Sequence, residues 1–534
     1  MNAPFAASGT LTRFALRRDR VVLGICALAV VVLTALAIPT FTSTYATEIA
    51  RRQRAGLIRT PVGVIFGGPG YGLADYRVGP MLVNELVPLL VVALILVNII
   101  VMVRHTRTEE QTGRAELVRA SSVGRRAPIT AALATCAAAD LAIGLLVALT
   151  AVRGGLPVAD SLAVGVGMAL TGLAFAAMAA VFAQLAEYSR SAISLSVLTF
   201  AVVYIVRIIG DIARPGGTAL SWVSPTSWLF QTRPYVDLRW WPLVLYIPTV
   251  ALLAALAFTL AARRDVGAGL MRARRGPDAA SPRLSGMFAL SRRLLRGPVI
   301  GWTVAAVLLG LFYGSLGSQV TGMVAANPAA VTAVGGDPNN IVSGFLATML
   351  VYVSVLASVL GIICASRLRA EEAAGRAELA MSTATSRLRW MGTGLGVALL
   401  AGTVVQVLGA LFLGLSAGAS LQDPSLVGRL TLASLNYLPI PLVFIAIATL
   451  LLGLAPRLFA LTWVVFAVSV FVTLFSGFGH MPRWVTSLSV FNLPALVPLE
   501  SVDGLALAAM LAAAFLAAAG GLVAFNRRDV GFSG

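Results

Sequence analysis

The chain has 534 residues, of which 58% are hydrophobic and 12% charged, and it carries a net charge of +18. Soluble globular chains are about a quarter charged, so this composition excludes water as the main solvent. The positive charge does not indicate nucleic acid, because no basic face on a soluble module accompanies it.

A helix crossing the hydrocarbon core needs about 20 mostly apolar residues. In chain order, the first half offers such runs at 21–38, 85–103, 129–152, 161–185, 192–212 and 241–262. The second half offers them at 298–316, 345–366, 391–416, 431–455, 458–478 and 504–525. The expected fold is therefore an all-α polytopic membrane protein with twelve transmembrane helices. Its divisions would be a six-span half over 1–270, a basic cytoplasmic linker over 271–297 and a second six-span half over 298–534.

All 40 basic residues are arginine. With the N-terminus inside, 28 of them fall in inward segments and 11 in outward ones, while Arg207 lies within a span. Basic residues favour the cytoplasmic side, so both termini are expected there. The exception is the outward loop 39–84, with Arg51, Arg52, Arg54, Arg59 and Arg77. A second outward loop, 213–240, holds Trp222, Trp228 and Trp240, which suits short amphipathic helices with rings at the headgroup level. Cys26, Cys136 and Cys364 each lie in an apolar run and read as packing residues.

Arg13, Arg17, Arg18 and Arg20 before the first apolar run have the look of a cleavable signal. An internal duplication argues against it. EEQTGRAEL at 109–117 recurs as EEAAGRAEL at 371–379, RRDVG at 263–267 recurs at 527–531, and an arginine-rich entry at 292–296 precedes the seventh span. Because each copy has an even number of spans, the halves are expected as parallel six-helix repeats about an axis along the membrane normal.

Within the motif, Glu109, Glu110, Arg114 and Glu116 are too dense in charge for a lipid-facing helix. Glu110 with Arg114, and Glu372 with Arg376, have the four-residue spacing of a helical ion pair. Leu117 and Leu379 add apolar contacts, while Gly113 and Gly375 either break the helix or admit a neighbour.

This motif resembles the coupling helix of type 2 ABC exporter permeases. The six-plus-six arrangement, with WVSPTSWLFQTRPY at 222–235, resembles the tetronasin-resistance and mycobacterial multidrug efflux branch. The resemblance implies a bacterial plasma-membrane permease that exports amphipathic or hydrophobic compounds, antibiotics among them. It implies a homodimeric ABC ATPase as a separate subunit, binding ATP and Mg, with no cofactor in this chain. The implied coupling residues are Glu109, Glu110, Gly113, Arg114 and Glu116 in the first half, with Glu371, Glu372, Gly375, Arg376 and Glu378 in the second. Either Arg125 or Arg126 fills the family's later arginine in the first half, and Arg387 does so in the second. Loops at 186–191, with Glu187 and Arg190, and at 456–457 would make a second inward contact.

A P-loop needs a lysine and the chain has none, so it is not expected to be an enzyme. No metal site is expected, with His105 and His480 far apart, and GLSAG at 414–418 lacks the strand that a nucleophile elbow needs. Asn98, Phe200, Tyr204, Arg207, Asp211 and Tyr352 are candidates to line a substrate path, although Arg207 and Asp211 are spaced to pair with each other. Glycine pairs Gly310 and Gly314, and Gly392 and Gly396, permit close helix approach. The alternative is a proton-driven transporter using Asp140 and Asp211, and a lipid-linked glycosyltransferase ranks below it.

Overall fold

The computed structural model describes residues 4–528 except 60, 121, 215, 266, 272–278, 280, 285, 327–337 and 476–482. Twelve helices among these residues are long and apolar enough to cross a membrane. The first six are α1 (Ser8–Thr44), α2 (Val78–Gln111), α3 (Ala127–Arg153), α4 (Val158–Leu185), α5 (Ser189–Ala213) and α6 (Trp241–Ala262). The second six are α7 (Met287–Gly322), α8 (Asn340–Ala373), α9 (Arg387–Leu421), α10 (Ser425–Leu454), α11 (Pro456–Thr473) and α12 (Gly504–Arg527). No strand is present among the described residues.

The chain divides into two compact units, Met1–Gly276 and Pro277–Gly534. The buried share of the apolar window runs 17, 67, 50, 72, 22 and 17% through α1 to α6, and 17, 67, 44, 61, 22 and 17% through α7 to α12. The two units thus place equivalent helices at equivalent depths, which extends the duplication from two short motifs to the whole bundle. In the first unit α1 packs on α3, α2 on α4 and α4 on α6; in the second, α7 packs on α9, α8 on α10 and α10 on α12.

Close helix approach depends on missing side chains. A Cβ on Gly310 would lie 2.4 Å from the Gly409 carbonyl oxygen, and one on Gly314 would lie 2.5 Å from that of Leu413, so α7 and α9 touch backbone to backbone. The other expected pair differs. Nothing lies within 4 Å of a Cβ on Gly392 or Gly396, which sit on an open face of α9.

The basic linker 271–297 is in part helix, because α7 already begins at Met287; residues 272–278, 280 and 285 lie outside the described set. The end of the expected span 458–478, His480 and the tail of the second RRDVG also lie outside it. In the outer loop, Trp228 is buried within the protein, its Nε1 donating to the Trp222 carbonyl at 2.7 Å. Trp222 stacks on Trp241 at 4.9 Å, and short helices at Ala219–Val223 and Pro225–Gln231 carry the group.

The loop 39–84 folds as helices Glu48–Ile58 and Pro61–Phe66. Its surplus arginines have partners: Arg52 pairs with Glu48, Arg54 with Glu85 at 2.6 Å and Arg77 with Asp75 at 2.7 Å. The Tyr76 hydroxyl donates to Glu85 at 2.9 Å, and burial beside that carboxylate pushes the phenol well above its ordinary value. All three cysteines are free.

Candidate functional site: the duplicated motif

α2 and α8 run 34 residues each. At 1.5 Å per residue each is about 50 Å long, so their ends project beyond a hydrocarbon core of about 30 Å. The projecting C-terminal ends carry the motifs. Each helix then stops at its glycine, because Gly113 at φ +74° and Gly375 at φ +69° take the left-handed conformation that only glycine adopts freely. Short helices Arg114–Arg119 and Arg376–Met381 follow.

This break removes the expected four-residue ion pairs. Arg114 lies beyond the turn from Glu110 and instead approaches Glu109 at 3.9 Å, while Arg376 pairs with Glu371 at 2.5 Å. The second glutamate of each motif turns inward to a partner 154 or 156 residues away. Arg264 grips Glu110 through two nitrogens at 2.6 and 2.8 Å, and Arg528 meets Glu372 at 2.6 Å. Both arginines belong to the RRDVG copies. The two duplicated sequences are therefore the two sides of one contact, made once in each unit.

The first unit adds more. Arg107 is fully buried, donates to Glu110 at 2.7 Å, and gives its other N–H groups to the carbonyls of Glu187, Gly267 and Ala268. Gln111 accepts from the Ser189 backbone N–H at 3.1 Å, so the 186–191 loop is sewn to the end of α2. Glu187 contributes through its carbonyl, and Arg190 stands exposed on the first turn of α5. Glu109 reaches Arg18 of α1 at 2.5 Å; Arg104 and His105 meet the buried Asp19 one residue on, at 2.6 and 2.5 Å. In the second unit Glu371 stays on its own helix, paired with Arg367 at 2.8 Å. There the 456–457 loop forms a short turn, Pro456–Phe459, with Phe459 5.6 Å from the Arg369 guanidinium.

Of the two candidates for the later arginine, Arg125 makes the contact that corresponds to that of Arg387. Its guanidinium donates to the Ala262 carbonyl at 3.0 Å, capping α6, as Arg387 donates to the Arg528 carbonyl at 2.7 Å, capping the end of α12. Arg126 lies over the rings of Phe5 and Phe258.

The turn leaves one edge exposed. Leu117 is 77% and Leu379 71% exposed, flanked by exposed Glu116 and Glu378. The two leucines occupy equivalent positions of the duplicated motif.

The candidate path residues each have partners within their own unit. Asn98 donates to Asp140 at 2.8 Å between α2 and α3. Phe200 and Tyr204 pack with Phe175, at 5.4 Å from it and 5.6 Å from each other. Arg207 and Asp211 pair mutually at 3.2 Å, with the guanidinium 4.7 Å from the Tyr204 ring. Tyr352 packs near Tyr313 in the other unit. What sequence reasoning missed was Arg107, Arg264 and Arg528; the recurrence of RRDVG beside the recurrent motif was the signal.

Twelve spans in two like units, each with a motif turn after its second span that is locked by a glutamate–arginine pair, define a membrane permease built by duplication. Residues 284–526 match the family model described as "Multidrug efflux system permease Rv1217c, C-terminal domain". The chain is also 34% identical to the multidrug efflux system permease protein Rv1217c of Mycobacterium tuberculosis, over 99% of this chain and 97% of that one. It belongs to this family of multidrug efflux permeases and is a multi-pass protein of the plasma membrane.

Proposed function

We propose that this chain is the membrane-spanning subunit of an ATP-driven exporter, worked by a separate homodimeric ABC ATPase that binds ATP and Mg. Both termini and both motifs face the cytoplasm in this reading. The observation that carries it is the double appearance of one construction: a turn rigidly tied to its own bundle through Glu110–Arg264 or Glu372–Arg528, presenting an exposed leucine and glutamate outward. A two-fold ATPase needs two equivalent grips. Pulling on them moves the spans only if the turn cannot swing freely, and the inward ion pairs supply that stiffness.

The roles within the motif then divide. Gly113, Arg114, Glu116 and Leu117, with Gly375, Arg376, Glu378 and Leu379, meet the ATPase. Glu109, Glu110, Glu371 and Glu372 hold the grip to the bundle. The family relationship to a multidrug efflux permease, and the scarcity of charges within the spans, favour amphipathic or hydrophobic cargo such as antibiotics. The test is co-purification with the ATPase of the same efflux system, paired with dye efflux from cells. The double variant Leu117→Arg and Leu379→Arg is expected to lose both ATPase retention and efflux while remaining in the membrane. Efflux that continues after ATP depletion and stops when the proton gradient collapses would overturn the reading in favour of proton coupling through Asp140.

A further inference from the structure

Each unit holds a cleft at its motif end, and the two are equivalent. The first, of about 110 Å³, lies between the start of α1, the end of α2 and the start of α3. Its walls are apolar, with Leu11, Phe14, Ile129 and Ala132, and its charged lining comprises Arg18, Arg125 and Arg264 against Glu109 and Glu110. The second, of about 350 Å³, lies between the starts of α7 and α9 and the end of α8. It offers Leu294, Leu368, Ala380 and Trp390, with Arg367 and Arg376 against Glu371. Glu109 and Glu371, and Ala132 and Gly394, are equivalent positions at the offset of the duplicated motif.

Three observations select an occupant. The apolar walls are continuous with the exposed face of α1, where Phe14 is 62% exposed, and with that of α7, where Leu294 is 39% exposed, so each cleft adjoins the lipid. Each lining has one more arginine than carboxylate. The same helix starts add exposed Arg13, Arg17 and Arg20 in the first unit, and Arg292, Arg293 and Arg296 in the second. An apolar slot with a cationic rim at the membrane surface fits an acyl chain and an anionic headgroup.

We infer that each cleft binds one anionic phospholipid from the surrounding leaflet, its phosphate among the arginines and the upper part of one chain along the apolar wall. The site does not depend on the ATPase reading. Its lipid lies against Glu109 or Glu371, so occupancy reports on the same turn that the partner would grip. Besides their size, the clefts differ in anchoring: Arg18 and Glu109 tie α1 to α2 in the first, while in the second Glu371 pairs with Arg367 and Arg376 of its own motif region.

The full chain, purified in mild detergent, is tested by native mass spectrometry with phosphatidylglycerol or phosphatidylcholine added. Two tightly held phosphatidylglycerols per chain are expected, retained at least about fivefold better than phosphatidylcholine. Ala132→Phe and Ala380→Phe, each filling one cleft, are expected to remove one lipid apiece. A second measurement needs neither variant: brominated phosphatidylglycerol should quench the fluorescence that Trp390→Phe removes, and brominated phosphatidylcholine should not. Equal retention of the two lipids, undiminished retention in the folded cleft-filled variants, or absence of selective Trp390 quenching overturns the proposal. Displacement of phosphatidylglycerol by an exported dye at equal concentration also overturns it, assigning the clefts to cargo.

Discussion

The two motif turns share their sequence signature but not their anchoring. In the first unit Glu110 sits between two guanidiniums, and the turn is tied to α1 through Arg18, to the α4–α5 loop through Arg107 and to the segment after α6 through Arg264. In the second unit Glu372 has Arg528, while Glu371 meets only Arg367 and Arg376 of its own region. A duplicated motif therefore fixes the inner contact in both copies, and neighbouring helices decide how stiff each copy becomes. The first grip is the rigid one, the second the more compliant.

The largest effect expected from breaking this contrast is at Glu110. Glu110→Ala leaves the fully buried Arg107 with its backbone carbonyl partners but without its carboxylate, a loss of about 3 kcal/mol. Glu372→Ala leaves Arg528, whose side chain is 21% exposed, free to reach water, and costs about 1–2 kcal/mol. Thermal unfolding in one detergent compares the two, and equal losses would remove the asymmetry. Next in size is the tie to α1: Arg18→Gln should cost about 1 kcal/mol and speed hydrogen exchange at the start of α1, with no such change at α7. The smallest effect is expected at the pair of exposed Arg376 and part-buried Glu371, where a double-mutant cycle should give a coupling of about 0.5 kcal/mol or less.

Legibility followed the range of the interaction. The number and order of spans were readable because a bilayer imposes a local requirement, length and hydropathy, on each segment separately. The helix break at Gly113 was one of two readings the glycine allowed, and the positive φ decides between them. The four-residue pairing of Glu110 with Arg114 failed because that rule assumes an unbroken helix. The burial of Trp228 was not legible for a related reason: its partners, Trp222 in the outer loop and Tyr246 in α6, are set by tertiary folding.

The sequence by itself determined a membrane solvent, twelve crossings, an internal duplication and an efflux-permease resemblance, since hydropathy and repetition are properties of the chain alone. Only the tertiary structure decided that the second glutamate of each motif faces inward to a repeated arginine, that Gly310 and Gly314 seal a helix contact while Gly392 and Gly396 do not, and that two basic-rimmed clefts open beside the turns. Each of these rests on charges or backbones brought together from positions far apart in the chain. Spacing along one helix carries no information about which distant helix packs against it.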